Sequence, residues 1–377
     1  MEDYFAQFRI FRQAAIARIR KTTYSLCLYP FLLCLKDNMN AAILLTGATG
    51  YIGSHTWVEL LEAGHQVVGV DNLANSSPLV LDRIKKITGK TPLFVQADLC
   101  DRASTERLFE DYRIGATIHF AALKSIGESV AKPLEYYANN LNSLLTLCTA
   151  MRNAGVENMV FSSSASVYGD PATLPILEHF PLSASNPYGQ TKLIGEQILR
   201  DLEQSDPRWK IAYLRYFNPV GAHKSGLIGE DSRGNPDNLM PYIARVAARR
   251  SASLPVFGGD YPTTDGTGVR DYIHVVDLAK AHLAALDYLQ DKQQSLTANI
   301  GSGRGYSVLE VIAAYEKASG QRVPYDIAPR RPDDIASCYA DPGLAAELLG
   351  WRAKENLESI CTDSWRWQSQ NPAGFAD

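Results

Sequence analysis

Tyr188 and Lys192 stand four residues apart at the head of a helical segment opened by Asn186-Pro187. That spacing projects both side chains from one helical face. A phenol normally keeps its proton up to about pH 10. A neighbouring ammonium favours the phenolate and lowers that value, so the pair could take the proton from an alcohol. The run Phe161-Ser162-Ser163-Ser164-Ala165-Ser166-Val167-Tyr168-Gly169 follows a predicted strand, and from there the Ser164 hydroxyl could reach the same substrate oxygen. Each feature also has a plainer use. Y-x-x-x-K can be a surface helix pair, and a serine after a strand can simply cap a turn. The pair by itself names no reaction.

A second signature narrows the chemistry. The run Thr46-Gly47-Ala48-Thr49-Gly50-Tyr51-Ile52-Gly53 lies between a predicted strand and a helical pattern that reaches Leu61. Gly47, Gly50 and Gly53 allow a tight turn and let backbone amides approach a pyrophosphate at the positive end of that helix. Asp71 closes the second predicted strand 18 residues beyond Gly53. A carboxylate there accepts hydrogen bonds from a ribose 2′-hydroxyl and repels a 2′-phosphate, which favours NAD over NADP. Asp98 ends the third predicted strand and could hold the adenine amine, or serve only as a turn former. A cationic nicotinamide beside Tyr188 would further favour its phenolate, and hydride could then leave the carbon that bears the hydroxyl.

Such groups need a scaffold that brings loop ends together. From Ala41 onward, short apolar runs alternate with helix-length amphipathic segments: 41–46, 66–70, 93–96, 116–120, 158–162 and 211–217 read as strands. Continuous apolar strands separated by helices predict an α/β fold with a doubly wound parallel sheet, the Rossmann arrangement, over residues 39–218. After Pro219 the rhythm breaks into glycine- and proline-rich stretches at 225–236 and 257–268, with a helix predicted over 239–250. Residues 219–377 therefore read as a smaller mixed α/β domain whose loops face a ligand, with some interlacing of the chain.

Composition limits the partners. A formal charge of -4 and a pI near 6.0 over 377 residues provide no broad cationic footprint for nucleic acid. The six cysteines, Cys27, Cys34, Cys100, Cys148, Cys338 and Cys361, form no close pair, which argues against a metal site and against a disulfide framework, and fits a reducing cytoplasm. Residues 1–38 stand apart. Arg9, Arg12, Arg18, Arg20 and Lys21 precede a short apolar run, 25–35, which Pro30 interrupts and which is too short to span a bilayer. Met39 reads as a fresh domain start, so the first 38 residues are expected to lie outside the fold as an inert extension, a surface tail or a membrane-associating peptide.

Longer runs carry a family resemblance. Gly47-Ala-Thr-Gly-Tyr-Ile-Gly-Ser-His55, Gly127-Glu-Ser-Val130, Lys132-Pro-Leu-Glu-Tyr-Tyr137, Leu214-Arg-Tyr-Phe-Asn-Pro-Val-Gly-Ala-His223 and Asp265-Gly-Thr-Gly-Val-Arg-Asp-Tyr-Ile-His274 occur in order. Residues 40–377 resemble the extended short-chain dehydrogenase/reductases and, among them, the UDP-galactose 4-epimerase family. The resemblance implies reversible epimerisation at C4 of UDP-galactose and UDP-glucose through a 4-keto sugar, with NAD retained between turnovers. It places NAD against Tyr51, Ile52, Asp71, Asn72, Asn75, Ser76, Asp98, Leu99, Phe120, Ala121, Ala122, Lys124 and Asn139, with Phe217 near the nicotinamide. It assigns Ser164, Tyr188 and Lys192 to the reacting centre. For the UDP-sugar it points to Asn218, Asn238, Leu239, Val256, Phe257, Arg270, Arg331 and Asp334. A structural ion pair, such as one between Arg270 and the adjacent Asp271, is the plain alternative for each arginine. A homodimer built through a helix-to-helix contact is also implied.

Two positions discriminate within the resemblance. Relatives that dehydrate nucleotide-sugars carry an Asp-Glu pair where this chain has Ser164-Ala165-Ser166, so the acid and base that expel water are missing. Cys338 stands where epimerases confined to unmodified hexoses resemble one another in carrying a tyrosine. A smaller side chain leaves room at the C2 substituent, so UDP-GlcNAc and UDP-GalNAc are expected as further substrates, unless other residues close the wall.

Overall fold

Ala42–Thr46 (β1) is an unbroken apolar run, buried throughout, as expected for a strand with helices on both faces of its sheet. The computed structural model describes residues 41–231, 238–331 and 334–375, so the extension expected over 1–38 lies outside the described residues. After β1 the chain alternates regularly: α1 (Tyr51–Glu62), β2 (Val67–Asp71), α2 (Val80–Thr88), β3 (Leu93–Gln96), α3 (Arg102–Asp111) and β4 (Ile114–His119). There follow α4 (Ile126–Ala131), α5 (Pro133–Ala154), β5 (Asn158–Ser164), a single 3-10 turn at Ala165–Tyr168, α6 (Pro187–Ser205) and β6 (Lys210–Tyr216). The six expected strands are all present, with ends displaced by up to two residues, as at Ile114 and Ser164.

The remainder is less regular: β7 (Asn218–Val220), α7 (Leu239–Ala247), β8 (Leu254–Phe257), β9 (Val269–His274), α8 (Val275–Lys292), β10 (Leu296–Ile300), β11 (Gly305–Ser307), α9 (Val308–Ser319), β12 (Tyr325–Ala328), β13 (Ser337–Cys338), α10 (Gly343–Leu349) and α11 (Leu357–Gln370). The helix expected to run to Arg250 stops at Ala247, because Arg249 takes a left-handed φ of 58°.

Seven strands build the main sheet in the order β10-β6-β5-β4-β1-β2-β3, every pairing parallel. The order reverses beside β1: β2 and β3 lie to one side, and β4, β5, β6 and β10 to the other. In open α/β sheets ligands bind outside the carboxyl ends of the strands at such a switch point. The β10 strand comes from sequence read as part of the second domain, and α8 immediately before it packs on α1. The chain therefore returns to the first sheet after residue 275, and the described residues from Ala42 onward pack as one unit. Beyond the main sheet, β9 pairs with β7, β11 and β13, while β8 pairs with β12. Among the described residues no helix is long and apolar enough to cross a membrane.

One contact shows how closely α1 lies on the sheet. Trp57 is fully buried, and a Cβ at Gly69 of β2 would fall 2.2 Å from its ring. Gly69→Ala forces that ring or the strand to move. Overpacking of this kind costs roughly 1–3 kcal/mol, so urea unfolding should show a loss of that size. An unchanged midpoint would mean that the contact is slack.

Candidate active site

The turn after β1 reaches the switch point by steric necessity. Gly47 has φ +64°, and a Cβ there would come within 2.9 Å of the Ala121 amide nitrogen in the loop after β4. A Cβ on Gly53 would lie only 2.1 Å from the Gly47 carbonyl oxygen. Glycines thus let the turn, the start of α1 and the next loop share one small volume. Gly50 caps α1 without a side-chain hydrogen bond, which leaves the amides of the first turn to meet an anion.

Asp71 faces the same turn from the end of β2. Its carboxylate accepts from the Thr49 amide (3.2 Å), the Leu73 amide (2.9 Å) and the Ser76 hydroxyl (3.2 Å). Asp98 accepts from Asn72 Nδ2 (3.2 Å) and the Cys100 amide (2.8 Å). These donors fix both carboxylates at the ends of β2 and β3, where a dinucleotide is expected. Asn72, Asn75 and Lys124 are exposed, Leu99 is buried, and Ile52, Phe120, Ala121, Ala122 and Asn139 are half-buried. The Tyr51 hydroxyl donates to the Gly221 carbonyl (2.7 Å), and Lys124 Nζ pairs with Glu230 at 3.1 Å. The cradle fits NAD.

Tyr188 and Lys192 occupy the first turns of α6. Asn186 caps that helix by accepting from the Gly189 amide (2.9 Å), and Pro187 supplies a preset φ at the first helical position. A Cβ at Gly189 would stand 2.9 Å from the Ser166 carbonyl oxygen, so the helix start nearly touches the 3-10 turn that follows Ser164. This approach brings the three candidate residues together. The Ser164 hydroxyl donates to the Ser166 hydroxyl (3.1 Å) and accepts from the Ser166 amide (3.2 Å), so it caps the turn, and it is near enough to the Tyr188 phenol to favour its phenolate. Lys192 Nζ lies 6.0 Å from the centre of the Tyr188 ring and 5.3 Å from that of Phe161.

Burial dominates the electrostatics. It raises the Tyr188 phenol above its usual value despite the opposing Ser164 hydrogen bond, and it lowers Lys192 to about 8. The expected lowering of Tyr188 by the neighbouring ammonium is not seen in the protein alone: loss of hydration sets the direction, and only the Ser164 hydroxyl opposes it. His119, joined to the Thr46 hydroxyl through Nδ1 at 2.9 Å, is brought down to about 3 by burial and then by Lys192, and stays neutral.

The residues expected around the UDP-sugar come from several short elements. Arg270 on β9 pairs with Asp334. It does not pair with Asp271, whose carboxylate is taken by the Ser302, Gly303 and Ala340 amides. Arg331 stacks its guanidinium 4.0 Å over the Phe257 ring, a platform of the kind that would take a uracil and a phosphate together. Asn218 and Asn238 are exposed and Leu239 is half-buried. Val256 is only 1% exposed within the core beside α7, so only its backbone could meet a ligand. Cys338 is buried in one cluster with Phe217, Val167 and Tyr168, and burial lifts its thiol to about 11.

Three contributors escaped the sequence reading. Asn140 donates to the Thr191 hydroxyl (3.0 Å), which donates to the Tyr188 carbonyl (2.7 Å) and so steadies the turn under the tyrosine. Glu230 faces Lys124 and Asn238. Glu196 pairs with Arg215 below Lys192. Only Glu196 had a readable signal, since it continues the Tyr188–Lys192 stripe by one more interval of four.

The fold and the glycine cradle define a dinucleotide-binding enzyme of the α/β class. The chain belongs to the NAD dependent epimerase/dehydratase family, whose model matches residues 43–301. It is 59% identical over 334 residues to a UDP-glucose 4-epimerase of Bacillus subtilis, covering 89% of this chain and 98% of that protein. Among solved structures it resembles a UDP-glucose-4-epimerase from Stenotrophomonas maltophila with bound NAD and formylated UDP-arabinopyranose, with a TM-score of 0.87 and 52% identity over 88% of this chain and 99% of that one. It also resembles the UDP-glucose 4-epimerase from Bifidobacterium longum in complex with NAD+ and UDP, with a TM-score of 0.86 and 53% identity over 89% and 100% of the two chains.

The Lys192 shift has a consequence for stability. With its folded value near 8 and its ordinary value at 10.5, the unfolded chain binds more protons between those limits, so this group's contribution to stability rises with pH through that window. At pH 7 the whole penalty is present. Lys192→Met is expected to stabilise the fold at pH 7 by about 1–3 kcal/mol in urea unfolding, with the gain shrinking as pH rises from 8 toward 10.5. A less stable variant at pH 7 would show that the ammonium is held by favourable contacts.

Proposed function

We propose that this chain is an NAD-dependent isomerase that inverts C4 of UDP-glucose and UDP-galactose through a 4-keto sugar, as in galactose metabolism. The observation that carries the reading is the meeting of Tyr188, Lys192 and Ser164 at the switch-point crevice beside a cradle that fits NAD. The cofactor, when bound, supplies the acceptor and donor of the C4 hydride and a positive charge that favours the phenolate. Tyr188 takes the proton of the 4-hydroxyl and later returns it to the same oxygen, while the inversion comes from the sugar presenting its other face for return of the C4 hydride. Ser164 holds the same oxygen by a hydrogen bond, and Lys192 steadies the phenolate. Arg270, Arg331 and Asp334, with Asn218, Asn238, Leu239, Val256 and Phe257, keep the nucleotide in place while the hexose turns. The net redox change is zero.

In this reading residues 39–218 are the NAD half and 219–377 the UDP-sugar half, interlaced through α8 and β10. The protein works as a homodimer in the cytoplasm. Exposed Ile126, Val130, Leu134 and Leu145 on α4 and α5 favour the first, and the free thiols of Cys100, Cys148, Cys338 and Cys361 the second. Tyr188→Phe should leave NAD bound, measured by cofactor released on denaturation, while UDP-galactose conversion falls by roughly 10²–10⁴-fold. Retained conversion would remove Tyr188 from its role.

The buried Cys338 supports breadth, since it leaves the wall beside Phe217 without a ring. Wild-type protein is expected to convert UDP-GalNAc as well as UDP-galactose. Cys338→Tyr should abolish the first conversion and spare the second, as coupled assays on the paired substrates would read directly. If the wild type shows no UDP-GalNAc turnover, the wall is closed by other residues.

A further inference from the structure

Tyr188, Lys192 and Glu196 follow one another at intervals of four along α6, so they form a single stripe. The last of them is anchored on every side. Glu196 accepts both forks of Arg215, Nε to Oε1 at 2.8 Å and Nη2 to Oε2 at 2.6 Å, and both side chains are 1–2% exposed. The Ser163 hydroxyl, next in sequence to Ser164, donates to Glu196 Oε1 at 2.6 Å. Arg200 adds a weaker contact at 3.4 Å. Arg215 is itself held, because its Nη1 donates to the Tyr168 hydroxyl (2.9 Å) and the Glu178 carbonyl (3.0 Å). Tyr168 donates in turn to Asn299 on β10 (2.7 Å).

We propose that Glu196, clamped by Arg215 and Ser163, is a positioning residue that fixes the rotation of α6 and so aims Tyr188 and Lys192 at the reacting carbon. This rests on the function proposed above. The geometry favours it over a purely structural pair for two reasons. The clamp joins the reacting stripe to the residue beside Ser164, so both partners of the substrate oxygen hang on one network. In addition, α6 is free of bulk where it meets β5, since a Cβ on Gly195 would lie 2.9 Å from the Phe161 ring. A smooth contact resists sliding poorly, and the ion pair supplies the missing register. The paired charges also cancel, so the clamp adds no net charge near Tyr188.

Both consequences are measurable. The charged or titratable groups facing Glu196 are Arg215 and Tyr213 on β6, Arg200 on α6 and Tyr168 on the 3-10 turn. Those facing Tyr188 are Lys192 and Tyr216, with the Ser164 hydroxyl. Glu196→Gln keeps the size and the Ser163 contact but leaves the Arg215 charge uncompensated at position 196, which lies roughly 12 Å along the helix from Tyr188. The Tyr188 pKa, read as the tyrosinate absorbance difference from Tyr188→Phe, should fall by about half to one unit. The double variant Glu196→Met/Arg215→Met replaces the pair with matched apolar volume, a change buried pairs often tolerate. Its kcat for UDP-galactose should drop roughly 10–100-fold with KM changed less than threefold.

A Tyr188 titration that is unmoved or shifted upward in Glu196→Gln overturns the proposal, and so does a folded double variant with wild-type kcat. If the double variant does not fold, the Glu196→Gln titration decides alone. A wild-type protein that converts no UDP-galactose retires the function reading, while the titration still judges the clamp.

Discussion

The closeness of α6 to the end of β5 is the contact on which the site depends. Gly189 lies against the Ser166 backbone and Gly195 against the Phe161 ring, both at distances that no larger residue tolerates. With the helix at that depth, Tyr188 faces Ser164 and Lys192 is buried over the Phe161 ring. Everything else in the sheet serves to place the two ends of this contact. Parallel pairing of β4, β5 and β6 sets the level of Ser164, and the Asn186 cap sets where α6 begins.

That depth has an electrostatic consequence. Dehydration raises Tyr188 and depresses Lys192, so each is pushed toward its neutral form. A core chosen for stability alone would place apolar side chains there. Groups held in an unfavourable ionisation environment, surrounded by a well-packed scaffold, are characteristic of sites where proton transfer is the task. The buried His119 belongs to the same pattern, since it is held neutral beside Lys192 and adds no competing charge.

What could be read in the sequence follows the range of the interactions. The glycine turn, Asp71 and β1 to β6 were legible because each is specified by residues within a few positions of itself. β10 was not, although Leu296–Ile300 is a good apolar strand, since its place beside β6 depends on α8 crossing the sheet. The Arg270 partner was equally hidden: the adjacent Asp271 is the nearest acid in sequence but is consumed by the 300–303 turn and the Ala340 amide, leaving Asp334, 64 positions away. Arg215 lay within a legible motif, but its buried partner on α6 could only be identified once the helix and strand were placed side by side.

The short sheet around β9 joins the main scaffold to the strands that hold Arg270 and Cys338. Asn218 on β7 stands beside Tyr272, and Cys338 on β13 stands beside Arg270 itself. β7 begins two residues after β6 ends, so a strand of the main sheet runs through Phe217 directly into a strand of the short sheet. A change in the side chain at 338 therefore acts at two points, on the wall shared with Phe217 and on the strand that presents Arg270. The side chain at 338 and the placement of Arg270 are mechanically linked, because a two-residue register joins them directly.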